Sequence, residues 1–99
     1  MRTIDQVLDR AKKVQKVSTD YKLALCLGIG ESSLSAYRNG RGLPDEKTCQ
    51  KLAYAMGEDP INLMIEIHVQ RVKDAESKAM WCELFNRLLF VTVSNLKPA

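Results

Sequence analysis

Histidine occurs once in these 99 residues, at His68, and no Cys, Asp or Ser stands at a useful spacing from it. A packing or surface role is therefore expected for it, not catalysis or metal binding. The sequence also lacks a glycine-rich phosphate loop, a nucleophile elbow and a pair of carboxylates at catalytic spacing, so no enzyme is expected. Cysteine is scarce and odd in number. Cys26, Cys49 and Cys82 form no C-x-x-C and have no nearby histidine pair, which argues against a disulfide framework or a zinc site. Each falls within an apolar helical pattern and is expected as a small buried hydrophobe in a reducing compartment. No metal and no cofactor are expected. Long hydrophobic runs are missing too. Leu88-Leu89-Phe90-Val91, extended past Thr92 by Val93, is far short of the roughly 20 residues that span a bilayer. Met1-Arg2-Thr3-Ile4-Asp5 leads straight into a polar amphipathic segment, unlike a signal peptide. The expectation is a soluble, cytoplasmic protein without a membrane partner.

What is present is helical periodicity. Ile4, Val7, Leu8, Ala11 and Val14 recur at helical spacing, with Asp5, Asp9, Arg10, Lys12 and Lys13 on the other face. Residues 20–27 form a second helix after Thr19, with Gly28 as its stop. Residues 31–39 form a third. Arg41-Gly42-Leu43-Pro44 is a loop, and a fourth helix covers 45–56 with Gly57 ending it. Asp59 caps a fifth with Pro60 in its first position, running to about Lys73. Asp74-Ala75-Glu76-Ser77 reads as a short break, with Ser77 or the residues just before it as the cap of a sixth helix at about 78–91. No segment reads as a strand, so the fold class is all-α. Two parts are expected: a helical domain over residues 1–74, and a C-terminal helix and tail over 75–99.

Charge is unevenly placed along the chain. Net charge is +3, but residues 1–44 hold eight Lys/Arg against four Asp/Glu, and residues 45–99 hold seven against eight. The basic excess lies in the first half, where a polyanion would dock. The same half contains the most informative stretch, Thr19 to Asn39. Two short helices joined by a three- or four-residue turn need a small residue where they pack closest, and Ala24 fits. The turn needs a residue tolerant of positive φ, and Gly28 follows four positions later. Leu23, Leu27, Ile29, Leu34 and Tyr37 supply a small shared core. On a helical wheel, Leu34 and Tyr37 point inward while Ser32, Ser35 and Asn39 point outward, flanked by Glu31 and Ala36. Serine is a mediocre helix former, so a merely solvated face would more often hold Glu, Lys or Gln. Small polar side chains let a helix sink into the major groove of DNA.

Residues 19–41 resemble the helix-turn-helix of the lambda-repressor-like regulators (Cro/cI or XRE type). The matching residues are Leu23-Ala24, Leu27-Gly28-Ile29, Leu34, Tyr37 and Arg38-Asn39-Gly40-Arg41. Leu52-Ala53-Tyr54-Ala55-Met56-Gly57 and Asp59-Pro60-Ile61-Asn62-Leu63 resemble the family's fourth and fifth helices, so the likeness covers about residues 4–68. The loop and the Trp81-centred helix look like a subgroup of small phage-associated regulators. The resemblance implies a five-helix DNA-binding domain with an added C-terminal helix. It also implies a sequence-specific transcriptional regulator, a repressor of a phage or mobile element, with double-stranded DNA as partner. Base reading would fall to Glu31, Ser32, Ser35 and Ala36. Phosphate contacts would fall to Thr19, Lys22, Arg38, Asn39 and Arg41. Asp20 departs from the glutamine common there and is read as serving the cap or helix dipole. Glu31 is open between base reading and dipole stabilisation.

In the sixth helix, Trp81, Leu84, Phe85, Leu88 and Val91 form an apolar seam, widened by Cys82 and Leu89. It either folds back to finish one core or buries against a second subunit. A homodimer with Trp81, Leu84, Phe85 and Leu88 at its interface is the expectation, because paired half-sites call for a two-fold assembly. The rival reading is a protein-interaction module, such as an antitoxin or anti-repressor, which takes a protein partner through this helix.

Overall fold

The structure is a computed structural model that describes the backbone of residues 1–96 and the side chains of residues 1–90. Among the described residues it holds six helices and no strand: α1 (Ile4–Gln15), α2 (Asp20–Leu27), α3 (Glu31–Arg38), α4 (Glu46–Met56), α5 (Pro60–Arg71) and α6 (Ala75–Leu96). The helix starts follow from their capping chemistry. Thr3 and Gln6 form a reciprocal capping box before α1, and Thr19, Asp45 and Asp59 each accept a backbone N–H at the starts of α2, α4 and α5. Gly28 and Gly57 end α2 and α4 in the left-handed region, with φ of 67° and 70°. A Cβ at Gly28 would meet nothing within 4 Å, so glycine is needed there for the backbone conformation and not for space. Lys16 takes the same role after α1 at φ 57°, without glycine's freedom.

The core forms where α1, α2, α3, α4 and α5 meet. Val7, Leu8 and Ala11 of α1 pack with Leu23, Ala24 and Leu27 of α2, Leu34 of α3, Cys49, Leu52, Ala53 and Met56 of α4, and Leu63 and Ile67 of α5. Ile4, Ile29, Tyr37 and Leu43 lie half-buried at its margin. The expected inward set is therefore in place, apart from Val14, which is exposed because α1 runs past the end of the core there.

Several boundaries differ from expectation. α5 stops at Arg71, and α6 begins at Ala75, three residues earlier than the apolar seam suggests. The cap is Asp74, whose carboxylate accepts the Ser77 N–H at 2.8 Å, leaving Ser77 inside the helix. That N–H also holds the Asp74 carboxyl below the usual carboxylate range. α6 continues to Leu96, well beyond the expected end at residue 91. Residues 97–99 of the tail lie outside the described residues. The cysteines are free and differ in setting: Cys49 is buried, Cys82 is half-buried and Cys26 is exposed. Burial pushes the Cys49 thiol up to about 11. Cys26 corrects the expectation of three buried cysteines, since it lies on the outer side of α2 while Leu23 and Leu27 face the core.

The apolar seam of α6 divides in two. Phe85 is buried within its own chain, and Trp81 packs edge-on against His68 of α5 with ring centroids 4.5 Å apart. This gives His68 the packing role expected of it. Leu84, Met80, Leu89 and Phe90 remain exposed, and Leu88 is half-buried. Val91 lies outside the residues whose side chains are described. No helix among the described residues is long and apolar enough to cross a membrane.

Two charged clamps close the fold, and neither has a sequence signal. Arg2 forks onto Glu58 at 3.0 and 2.8 Å and onto Glu66 at 3.1 and 2.8 Å, while its backbone N–H reaches Glu66 at 2.9 Å. Glu66 is almost fully buried on α5. Arg38 at the end of α3 holds Asp5 and Asp9 of α1 and Asp20 of α2.

Candidate nucleic-acid interface

α2 and α3 are eight residues each and are joined by Gly28, Ile29 and Gly30. Ala24 is buried, and its carbonyl accepts the Ile29 N–H at 3.1 Å, so the turn closes directly onto α2. Leu34 is the buried residue of α3, with Tyr37 half-buried beside it. This inward pair fixes the rotation of α3 and turns Glu31, Ser32 and Ser33 to solvent. Ser35 and Ala36 are half-buried and form the edge of the same face. The four residues expected to read bases thus share one accessible region of α3. Ser33 is an exposed hydroxyl beside them that the wheel did not single out.

The start of α3 is open. Gly30 is its N-cap and supplies no side-chain acceptor, so the first N–H groups of α3 receive no side-chain cap. At the other end the Asn39 amide folds back, donating to the Ser35 carbonyl at 2.9 Å and to Ser35 Oγ at 3.3 Å. With its oxygen accepting that bond, the Ser35 hydroxyl still has a proton to donate. Gly40 then takes φ 70°, and the Arg41 N–H returns to the Ala36 carbonyl at 2.9 Å, which anchors Arg41 directly after α3.

The residues expected to contact phosphate do not share one setting. Lys22 and Arg41 are exposed on either side of α3 in sequence. Thr19 Oγ1 accepts the Lys22 N–H at 3.2 Å as the cap of α2. Asn39 is exposed, although its amide is held by Ser35.

Arg38 requires a correction. Its guanidinium donates to Asp20 twice at 3.0 Å, to Asp9 at 2.8 Å and to Asp5 at 3.2 Å, so it is committed to carboxylates instead of facing solvent as a free cation. The physical reason is its place in the last turn of α3, which lies against both α1 and α2. Arg38, through its hydrogen bonds, holds the Asp20 carboxyl below its ordinary value despite some opposing burial, with Lys12 helping. Asp20 is therefore mainly a partner of Arg38 and Lys12, in addition to its place in the first turn of α2.

These pairs reduce the free positive charge of the first half of the chain. Of its eight cations, Arg2, Lys12 and Arg38 are held in ion pairs. Lys22 and Arg41 are the cations beside α3 that have no ion pair among the described residues. No group of His, Cys, Asp and Glu suited to holding a metal occurs among the described residues.

No protein-family model, no curated protein and no solved structure matches the chain.

Proposed function

We propose that the protein is a sequence-specific DNA-binding transcriptional regulator of the lambda-repressor-like kind, a repressor of a phage or mobile element, which places α3 in the major groove. The observation that supports this best is the arrangement of α2 and α3. A short turn with Gly28 at positive φ orients α3 so that small polar side chains face outward from its open start, with Lys22 and Arg41 alongside. A helix of this size, bearing Ser32, Ser35 and Ala36, offers single hydrogen bonds and methyl contacts to base edges. Lys22 and Arg41 serve as phosphate anchors, and Arg38 acts within the protein by holding α1, α2 and α3 together.

Selection of bound sequences from random duplex DNA tests this reading directly. The expected result is a palindromic site with two short half-sites, because single serine contacts discriminate weakly and doubling them raises specificity. Ser32→Ala and Ser35→Ala are each expected to relax preference at one half-site position. Arg41→Ala is expected to weaken binding to all sequences and to reduce the slope of log K against log salt by roughly 0.9 for its one phosphate. No enrichment of any sequence, together with a salt slope unchanged in Arg41→Ala, would refute the reading.

Two half-sites require a two-fold assembly. The exposed Met80, Leu84 and Phe90 support an α6-to-α6 contact, in which Trp81 and Phe85 act from beneath by holding α6 on α5. Light scattering at tens of micromolar is expected to give a dimer, the regime in which weak interfaces are still populated. Met80→Ser/Leu84→Ser is expected to give a monomer that remains folded. An intact protein that is monomeric under these conditions would favour the rival reading, in which α6 serves another protein.

A further inference from the structure

Beside the loop that follows α3 lies an open groove of about 650 Å³, separate from the face that α3 turns to solvent. Its apolar part comes from Ile4, Tyr37 and Leu43, which are half-buried at the margin of the core. Its charged part comes from Arg41 on the loop and from Arg71 and Lys73 at the end of α5. No carboxylate lines it. Gly40 and Gly42 form part of the wall, and a Cβ at either would meet nothing within 4 Å, so that side of the groove is unobstructed.

Arg41 is brought beside Arg71 and Lys73 by the fold, although α4 and α5 separate them in sequence. Arg71 is positioned by the α3–α4 loop, donating to the carbonyls of Leu43 and Pro44. Its charge is partly answered from outside the groove by Asp45, whose carboxyl is held below its ordinary value mainly by hydrogen bonds from Thr48, with a smaller electrostatic share from Arg71. Glu46 borders Arg71 on a different side, in the cleft that contains His68 and Trp81. Arg41 and Lys73 have no ion pair among the described residues. Cations gathered around a concave apolar surface create a local field that favours an anion. The volume falls within the range of small-molecule sites, and the cations converge on a partly apolar floor.

We propose that this groove binds a small organic anion, with a ring-sized apolar body on Ile4, Tyr37 and Leu43 and an acidic headgroup between Arg41 and Lys73. Concavity favours such a ligand over a DNA backbone, which would lie across the rim without filling the apolar floor. The site shares Arg41 with the DNA-binding reading, while Lys73 belongs to the groove alone.

Anilinonaphthalene sulfonate has the required chemistry and serves as the probe, with its neutral counterpart phenylnaphthylamine as control. Titration of the full chain is expected to show one saturable site for the sulfonate, with amide chemical-shift changes centred on Gly40, Gly42 and Lys73. The neutral probe is expected to bind at least tenfold more weakly. Arg41→Ala/Lys73→Ala is expected to weaken sulfonate binding about tenfold while leaving thermal unfolding unchanged, since both side chains are exposed. Met80→Ser/Leu84→Ser is expected to leave it intact. Shift changes centred on Met80 and Leu84, equal binding of the neutral probe, or unaltered affinity in the Arg41/Lys73 variant would each overturn the proposal.

Discussion

Arg2→Ala is expected to destabilise the protein by about 3 kcal/mol, the low end of what removing one partner of a buried ion pair costs. The low end applies because Arg2 itself is one-third exposed. The effect arises mainly at Glu66, which is 2% exposed and would lose the Nε and Nη2 donors, keeping the backbone N–H of residue 2. The Gln70 amide, which bridges the Arg2 and Glu66 carbonyls, would lose part of its frame as well. For a domain of this length such a loss lowers the melting temperature by roughly 12–24 °C. Arg2→Lys keeps the charge but not the two-sided fork, so an intermediate loss is expected. Arg2→Met combined with Glu66→Leu removes both charges of the pair and is expected to recover most of the stability. Thermal and urea denaturation of the four proteins measures this. Equal melting temperatures for wild type and Arg2→Ala would show that the clamp contributes nothing.

Arg38→Ala is expected to cost roughly 2 kcal/mol, in the range of charge-assisted hydrogen bonds discounted for the exposure of Asp5 and Asp9. The loss has a pH signature. Arg38 lowers the Asp20 carboxyl from its ordinary value of 3.8 in the folded protein. A depressed folded value stabilises above the ordinary one, and that stability disappears as pH falls through the folded value. The wild-type advantage over Arg38→Ala is therefore expected to be full near pH 6 and to shrink as the solution is acidified below about pH 4. Urea denaturation across that range checks it. A constant difference at every pH would mean that Arg38 acts through packing alone. Against DNA, Arg38→Ala is expected to leave the salt slope as in wild type, in contrast to Arg41→Ala. A reduction of about 0.9 would restore Arg38 to the phosphate contacts.

The turn chemistry and the apolar periods determined the secondary structure. Thr19, Gly28, Asp45, Gly57, Asp59 and Pro60 act on backbone groups within four residues of themselves, so both ends of α2 and α4 and the start of α5 follow from local sequence. The inward set of Leu23, Ala24, Leu27 and Leu34 follows from helical period, because one face of each short helix has to be buried. The outward placement of Glu31 and Ser32 is the complement of that burial. The cap of α6 is Asp74, the first residue of the expected break and not Ser77 at its end: the apolar residues of α6 begin later than its hydrogen bonding does, and a seam marks where a helix packs, not where it starts.

Tertiary structure alone decided which charges are free. Arg2 and Glu66 are 64 positions apart, and Arg38 lies 33 and 29 positions from Asp5 and Asp9. A charged residue carries no period that reveals its partner, so Arg38 and Arg41 look alike in the sequence. The packing of α3 against α1 and α2 makes the first an internal tie and leaves the second in solvent. The same holds for Trp81, Leu84 and Phe85, whose spacing shows one broad seam. The crossing of α5 and α6 determines that Phe85 is buried, that Trp81 meets His68, and that Leu84 stays on the surface. The groove between the α3–α4 loop and the end of α5 is likewise a product of assembly, since Ile4, Arg41 and Lys73 become neighbours only when the chain closes on itself.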